Sequence, residues 1–154
     1  MASISKDTPL AEITLRKYEK PHNEMSLYDI SRRVLLSLGL LQPGDSRDVI
    51  VDVFVVIITS KGLNSLEIID KTITFRKSRQ VPIKGCTSPN IRRQIMRLKQ
   101  MFLVEKQNNL YIAREEKFSQ VWDEHIKGYY MSSIVSRVRE NLGMLDTIKN
   151  KSNE

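Results

Sequence analysis

The chain reads as a mainly α protein that carries a small β-hairpin. Three observations predict this. Apolar residues recur at three- and four-residue intervals in segment after segment, as on one face of a helix. Most of these segments are bracketed by capping residues in front and glycine or proline behind. Near the middle, two short apolar runs flank Asn108 and Asn109, residues that tolerate left-handed turns.

The elements follow in order. Residues 1–25 are polar and weakly patterned, and they read as a flexible arm. Ser26 can cap a first helix through Leu38, with Leu27, Ile30, Val34 and Leu38 on one face and Gly39 as its stop. After the turn LQPGDS, Asp45 or Ser46 can cap a second helix through about Ser60. Its β-branched residues also suit a strand, but the run is too long for one. Lys61-Gly62 ends it. Asn64 or Ser65 opens a third helix, with Leu66, Ile69 and Ile73 inward, ending between Phe75 and Arg79. Pro82 and Gly85 break the basic connector RKSRQVPIKGC.

Ser88 then caps a fourth helix with Pro89 in its first turn, running to Gln100 or Met101. Phe102 to Glu105 and Leu110 to Ala113 read as strands. Phe118 to Lys127 reads as a helix that Gly128 interrupts, and Tyr129 to about Lys149 as the last helix. Its stripe is Ile134, Val138, Leu142, Leu145 and Ile148. The chain thus divides into an arm (1–25), a central domain (26–117) and C-terminal helices (118–154).

The net charge of +7 is not spread evenly. Residues 61–117 hold 13 Lys+Arg against 5 Asp+Glu, while the flanking parts are near neutral. A concentrated basic block on a patterned segment favours an anionic partner. The single cysteine, Cys86, cannot form an internal disulfide and suits a reducing, cytoplasmic setting. The most apolar stretch, Val49 to Ile58, is about half the ~20 residues a membrane span needs. No secretory signal pattern opens the chain.

The basic block centres on TSPNIRRQIMRLKQ. On a helical wheel Ile91, Ile95 and Leu98 form a buried edge. Asn90, Arg93, Arg97 and Gln100 fall opposite, with Met96 at the margin, while Arg92 and Lys99 flank the edge. Such a helix can anchor on one side and offer long donors on the other. Arginine pairs with guanine and Asn or Gln with adenine in a major groove, and arginines equally hold phosphate. Ser88, Asn90 and the free N–H groups of the helix start suit a phosphate as well.

Helix, helix, basic helix and two-stranded hairpin is the order of a winged helix-turn-helix. GLLQPGDSRDVIVDVFVVI followed by SPNIRRQIMRLKQMFLVEKQNNLYIA resembles winged-helix DNA-binding regulators, archaeal in style, over about residues 45–114. The resemblance implies a cytoplasmic transcription regulator that binds double-stranded DNA, with added N- and C-terminal helices. It implies that Lys106, Gln107, Asn108 and Asn109 form the tip of the wing, near backbone or minor groove. The sequence departs from the pattern in its connector of about ten residues, against the usual 3–4. Either the third helix extends past Arg79, or residues 81–83 add a strand. The connector brings Arg76, Lys77, Arg79 and Lys84 into the set of phosphate contacts. The C-terminal stripe can pack back on the domain as core or pair with the same helix of a second chain; the family's frequent two-fold symmetry implies the second, a homodimer through the last helix.

Two other readings compete: a winged helix used for protein–protein assembly, and an RNA-binding one. No enzyme pattern, metal site or cofactor motif is expected. Glu115-Glu116-Lys117 suits the start of a helix better than a nuclease site. Asp48 and Asp52, at i,i+4 spacing, lack a third metal ligand; Asp48 fits a helix start and Asp52 a surface or paired role. His125 beside Trp122 fits packing, and Cys86 an inert thiol rather than a sensor.

Overall fold

The computed structural model describes residues 7–152, in two compact units. One spans Thr14–Phe118; the other joins the chain's start, up to Ile13, to the segment from Ser119 onward. The fold is mainly helical with one two-stranded antiparallel hairpin. Among the described residues no helix is long and apolar enough to cross a membrane.

The Thr14–Phe118 unit is built around α2 (Val49–Ile58). Every residue of α2 but Ile58 is buried, because the helix is apolar on all sides. Around it pack α1 (Leu27–Ser37), α3 (Ser65–Ser78), α4 (Ser88–Gln100) and strand β2 (Leu110–Ala113). Strand β1 (Val104–Gln107) pairs with β2 from Val104↔Ala113 to Gln107↔Leu110. Asn108 and Asn109 close the hairpin at φ 49° and 66°. Positive φ at both central residues marks the turn type that matches strand twist. The hairpin is not free. Leu63 exchanges both backbone hydrogen bonds with Tyr111, at 2.7 and 3.3 Å, and so ties β2 to the entry of α3.

Helix starts follow the expected caps in two places. Ser26 accepts from the Asp29 N–H, and Asn64 forms a full capping box with Glu67. Elsewhere they differ. Asp45 accepts from the Arg47 N–H and shapes the turn, so it does not cap α2. Asp48 stands at the N-cap of α2 without a side-chain cap bond, because arginines hold its carboxylate. Thr87, not Ser88, caps α4, by accepting from the Asn90 N–H.

Three helices end in the same way. At Gly39, Gln80 and Phe102 the chain turns left-handed, with φ of 74°, 57° and 67°. In each case this residue's N–H and the next return to carbonyls of the last helical turn, as from Gln80 to Lys77 and from Val81 to Arg76. Glycine takes this conformation freely; glutamine and phenylalanine do not. The closure at Phe102 delays the first strand by two residues from its expected start. The closure at Gln80 ends α3 at Ser78, and residues 81–83 form no strand, so neither expected form of the connector is realised.

Two inward faces also differ from expectation. In α1, Ser31 and Leu35 are buried while Leu27 is exposed. In α3 the buried line is Ile68, Thr72 and Arg76, at i,i+4 spacing, and Leu66 is 65% exposed. The arm is in part a docked segment. The Arg16 N–H donates to Ser37 O, and its guanidinium donates to Leu36 O, Leu41 O and Gln42 Oε1. These carbonyls include those that the end of α1 leaves without helical partners. Residues 1–6 of the expected arm lie outside the described residues.

In the second unit the helical run does not break at Gly128. A short α5 (Phe118–Val121) passes into a π-helical segment (Trp122–Met131) and then into α6 (Ser132–Ser152). A Cβ on Gly128 would run into the Asp123 carbonyl, so glycine permits the wide turn here instead of ending the helix. The Tyr130 hydroxyl donates to Glu12 O and accepts from the Glu12 N–H.

The left-handed closures yield a paired prediction. Gln80→Gly raises stability by about 0.5–1 kcal/mol, because it removes a side chain from a conformation that disfavours it. Gly39→Gln lowers stability, since a Cβ there would stand 2.6 Å from the Thr14 Cβ. Urea midpoints at unchanged slope measure both.

Candidate functional site

The basic helix α4 displays the pattern read from the sequence, with one side rotated. Ile91, Gln94, Ile95 and Leu98 are buried. The buried face therefore extends to Gln94, and it draws in Asn90 and Arg97. The Asn90 amide donates to Gly85 O at 2.7 Å, and its oxygen accepts from Gln94 at 3.0 Å. Arg97 donates to Gln94 Oε1 at 2.8 Å and to Leu40 O at 2.6 Å. Burial, aided by the neighbouring charge of Arg93, holds the Arg97 guanidinium below its ordinary pKa. Asn90 and Arg97 are thus half-buried and bonded within the domain, not held out with Arg93.

Arg92, Arg93, Met96 and Gln100 remain exposed, with Ser88 at the helix start. Ser88 and Ser65 together hold Arg92, at 3.2 and 2.8 Å. Arg93 lies 3.4 Å from the Asn90 oxygen. Neither arginine has a carboxylate partner among the described residues. At the hairpin tip Lys106, Gln107, Asn108 and Asn109 are exposed. The Lys106 ammonium sits 5.6 Å from the centre of the Tyr111 ring, and Gln107 donates to Glu105.

The connector arginines require a correction. Arg76 is only 4% exposed, and its guanidinium is shared between Asp48 at 3.1 Å, Asp52 at 2.6 Å and the Pro82 carbonyl at 2.7 Å. Arg79 donates to the other Asp52 oxygen and stacks on the rings of Tyr28 (4.3 Å) and Phe75 (4.4 Å). Neither is placed to meet a phosphate. The paired role is the one Asp52 takes, at 0% exposure. Asp48 also accepts from Arg32 and from the Tyr28 hydroxyl, each at 3.1 Å. Burial, with Asp48 beside it, pushes the Tyr28 hydroxyl pKa up. With their oxygens bound to arginine, Asp48 and Asp52 are structural groups and not metal ligands. Of the connector cations, Lys77 and Lys84 are exposed.

Cys86 is half-buried, and desolvation pushes its thiol pKa up, which lowers the thiolate fraction and its reactivity. Trp122 and His125 lie half-buried in the π-helical segment. Sequence reasoning missed Ser65, Gln94 and Leu63. The first two accept the arginines of α4, and Leu63 fixes the hairpin. A serine at the start of one helix carries no signal that an arginine of another will reach it. No family model, curated protein or solved structure matches the chain.

The buried pairs give two expected outcomes. Asp52→Ala leaves Arg79 without its counter-charge and Arg76 with Asp48 alone, and costs about 3–5 kcal/mol of stability. Arg97→Ala orphans the carbonyl of the buried Leu40 and costs about 1–3 kcal/mol. Denaturant unfolding of each variant measures both.

Proposed function

We propose that the Thr14–Phe118 unit is a winged helix that binds double-stranded DNA and serves in transcription regulation. In this reading α4 enters the major groove with Arg92, Arg93, Met96 and Gln100. The hairpin tip, through Lys106 to Asn109, lies along the backbone, and Lys77 and Lys84 meet phosphates. Asn90 and Arg97 orient the helix rather than read bases.

One observation carries the reading. Arg32, Arg76, Arg79 and Arg114 meet carboxylates of the domain, and Arg16 and Arg97 are turned onto its backbone carbonyls, yet Arg92 and Arg93 are exposed and steadied only by uncharged side-chain oxygens. A guanidinium held by serine hydroxyls keeps its full charge and its remaining donors for an outside acceptor. The Leu63–Tyr111 pairing supports the reading further, since it sets the hairpin in a fixed relation to the helices.

A mobility-shift comparison of random duplex DNA, single-stranded DNA and structured RNA at two salt concentrations tests this reading. Duplex binding is expected to weaken steeply with salt, because neutralised phosphates release counterions. Flat salt dependence, or no duplex binding, rejects it. Arg93→Ala is expected to lower duplex affinity by about 1–3 kcal/mol. Its unfolding midpoint should match the wild type, since the side chain is exposed. An unchanged affinity would remove this face from the interface.

A further inference from the structure

Over its 21 residues α6 has no buried position. Val135, Val138, Leu142, Leu145 and Ile148 are each more than half exposed. At about 100° per residue they fall, with Ile134, in one sector about 140° wide. An isolated helix gains little from such a stripe, and a monomer rarely shows a continuous apolar face of this length to water.

The charges beside the stripe say what covers it. Along one edge stand the exposed Arg139 and Asp146, seven residues and two turns apart, and neither has an ion pair among the described residues. Further round the helix, outside the opposite Ile134–Asn141–Ile148 edge, Arg137 is already paired with Glu140 of its own helix, at 2.7 Å. We propose that a second copy of this chain lies antiparallel along α6. Antiparallel pairing brings the Arg139–Asp146 edge against the same edge of the second copy, running the other way. Each Arg139 then faces an Asp146 across the two-fold axis, and Leu142 meets Leu145 between them. Parallel pairing would set this edge against the Ile134–Asn141–Ile148 edge, where both charges lose water and gain nothing. Flanking charges select orientation in this way in paired helices. The antiparallel arrangement also opposes the two helix dipoles.

The inference does not rest on the nucleic-acid reading, and its test contains no nucleic acid. Sedimentation equilibrium of the full chain across a concentration series should show a dimer. Leu142→Glu should give a monomer, by setting a charge in an apolar seam. Arg139→Asp should weaken dimerisation about tenfold or more, by facing like charges. The exchange of both charges, Arg139→Asp with Asp146→Arg, should restore it. All three positions are exposed, so the effects are on assembly and not on folding. A monomeric wild type would assign the stripe to another partner and overturn the proposal. A double exchange no tighter than Arg139→Asp would overturn the antiparallel arrangement.

Discussion

A carboxylate sits in the middle of the most apolar helix of the protein, and much of the Thr14–Phe118 unit is arranged around it. Asp52 has no access to water. An unpaired charge in that position would cost several kcal/mol or more. Arg76 and Arg79 therefore must reach it, and reaching it fixes the end of α3. Arg76 in turn holds the Pro82 carbonyl, which fixes the start of the connector. One turn earlier Asp48 collects Arg32 from α1 and shares Arg76. Three helices and a loop thus converge on two carboxylates. Buried pairs of this kind add little net stability over apolar packing, but they penalise any arrangement that separates them.

This constraint divides the arginines into two classes. Those near α2 are spent on structure, including two that the sequence placed among candidate anion contacts. Those on the outer face of α4 are not. The basic block of residues 61–117 is therefore less concentrated on the connector than its composition suggests. The carboxylates that neutralise Arg76 and Arg79 come from residues 48 and 52, outside the block.

The element types were legible in the sequence, and so was the order helix, helix, helix, hairpin. Apolar period and caps carry that information locally. Ser26, Asn64 and the Asn108-Asn109 turn are where expected. What failed depends on long-range partners. Arg76 lies on the inward line of α3, yet a pattern that counts arginine as polar turns that helix the wrong way. Phe102 closes α4 in a conformation that aromatic residues seldom adopt, so the first strand was placed too early. Gly128 reads as a break under α-helical rules, while the wider turn requires it. On α4 the wheel sets Arg93 outward, as observed, but it places the exposed Arg92 beside the buried edge and does not distinguish Arg97 from Arg93. Its burial depends on the Leu40 carbonyl, 57 residues away in the chain.

The contacts of Arg16 bear on where this folding unit begins. Judged by helix signals, the unit opens at Ser26, and a shortened chain starting there would look complete. Yet Thr14 packs against Gly39, and Arg16 alone supplies donors to three backbone carbonyls at the end of α1 and just beyond it. The turn that carries Leu40 lies beside them, and Leu40 is the acceptor of Arg97. A stretch with no regular structure of its own is therefore part of the scaffold behind the basic helix. The compact unit that carries α4 opens at Thr14, inside a segment that secondary structure alone would discard.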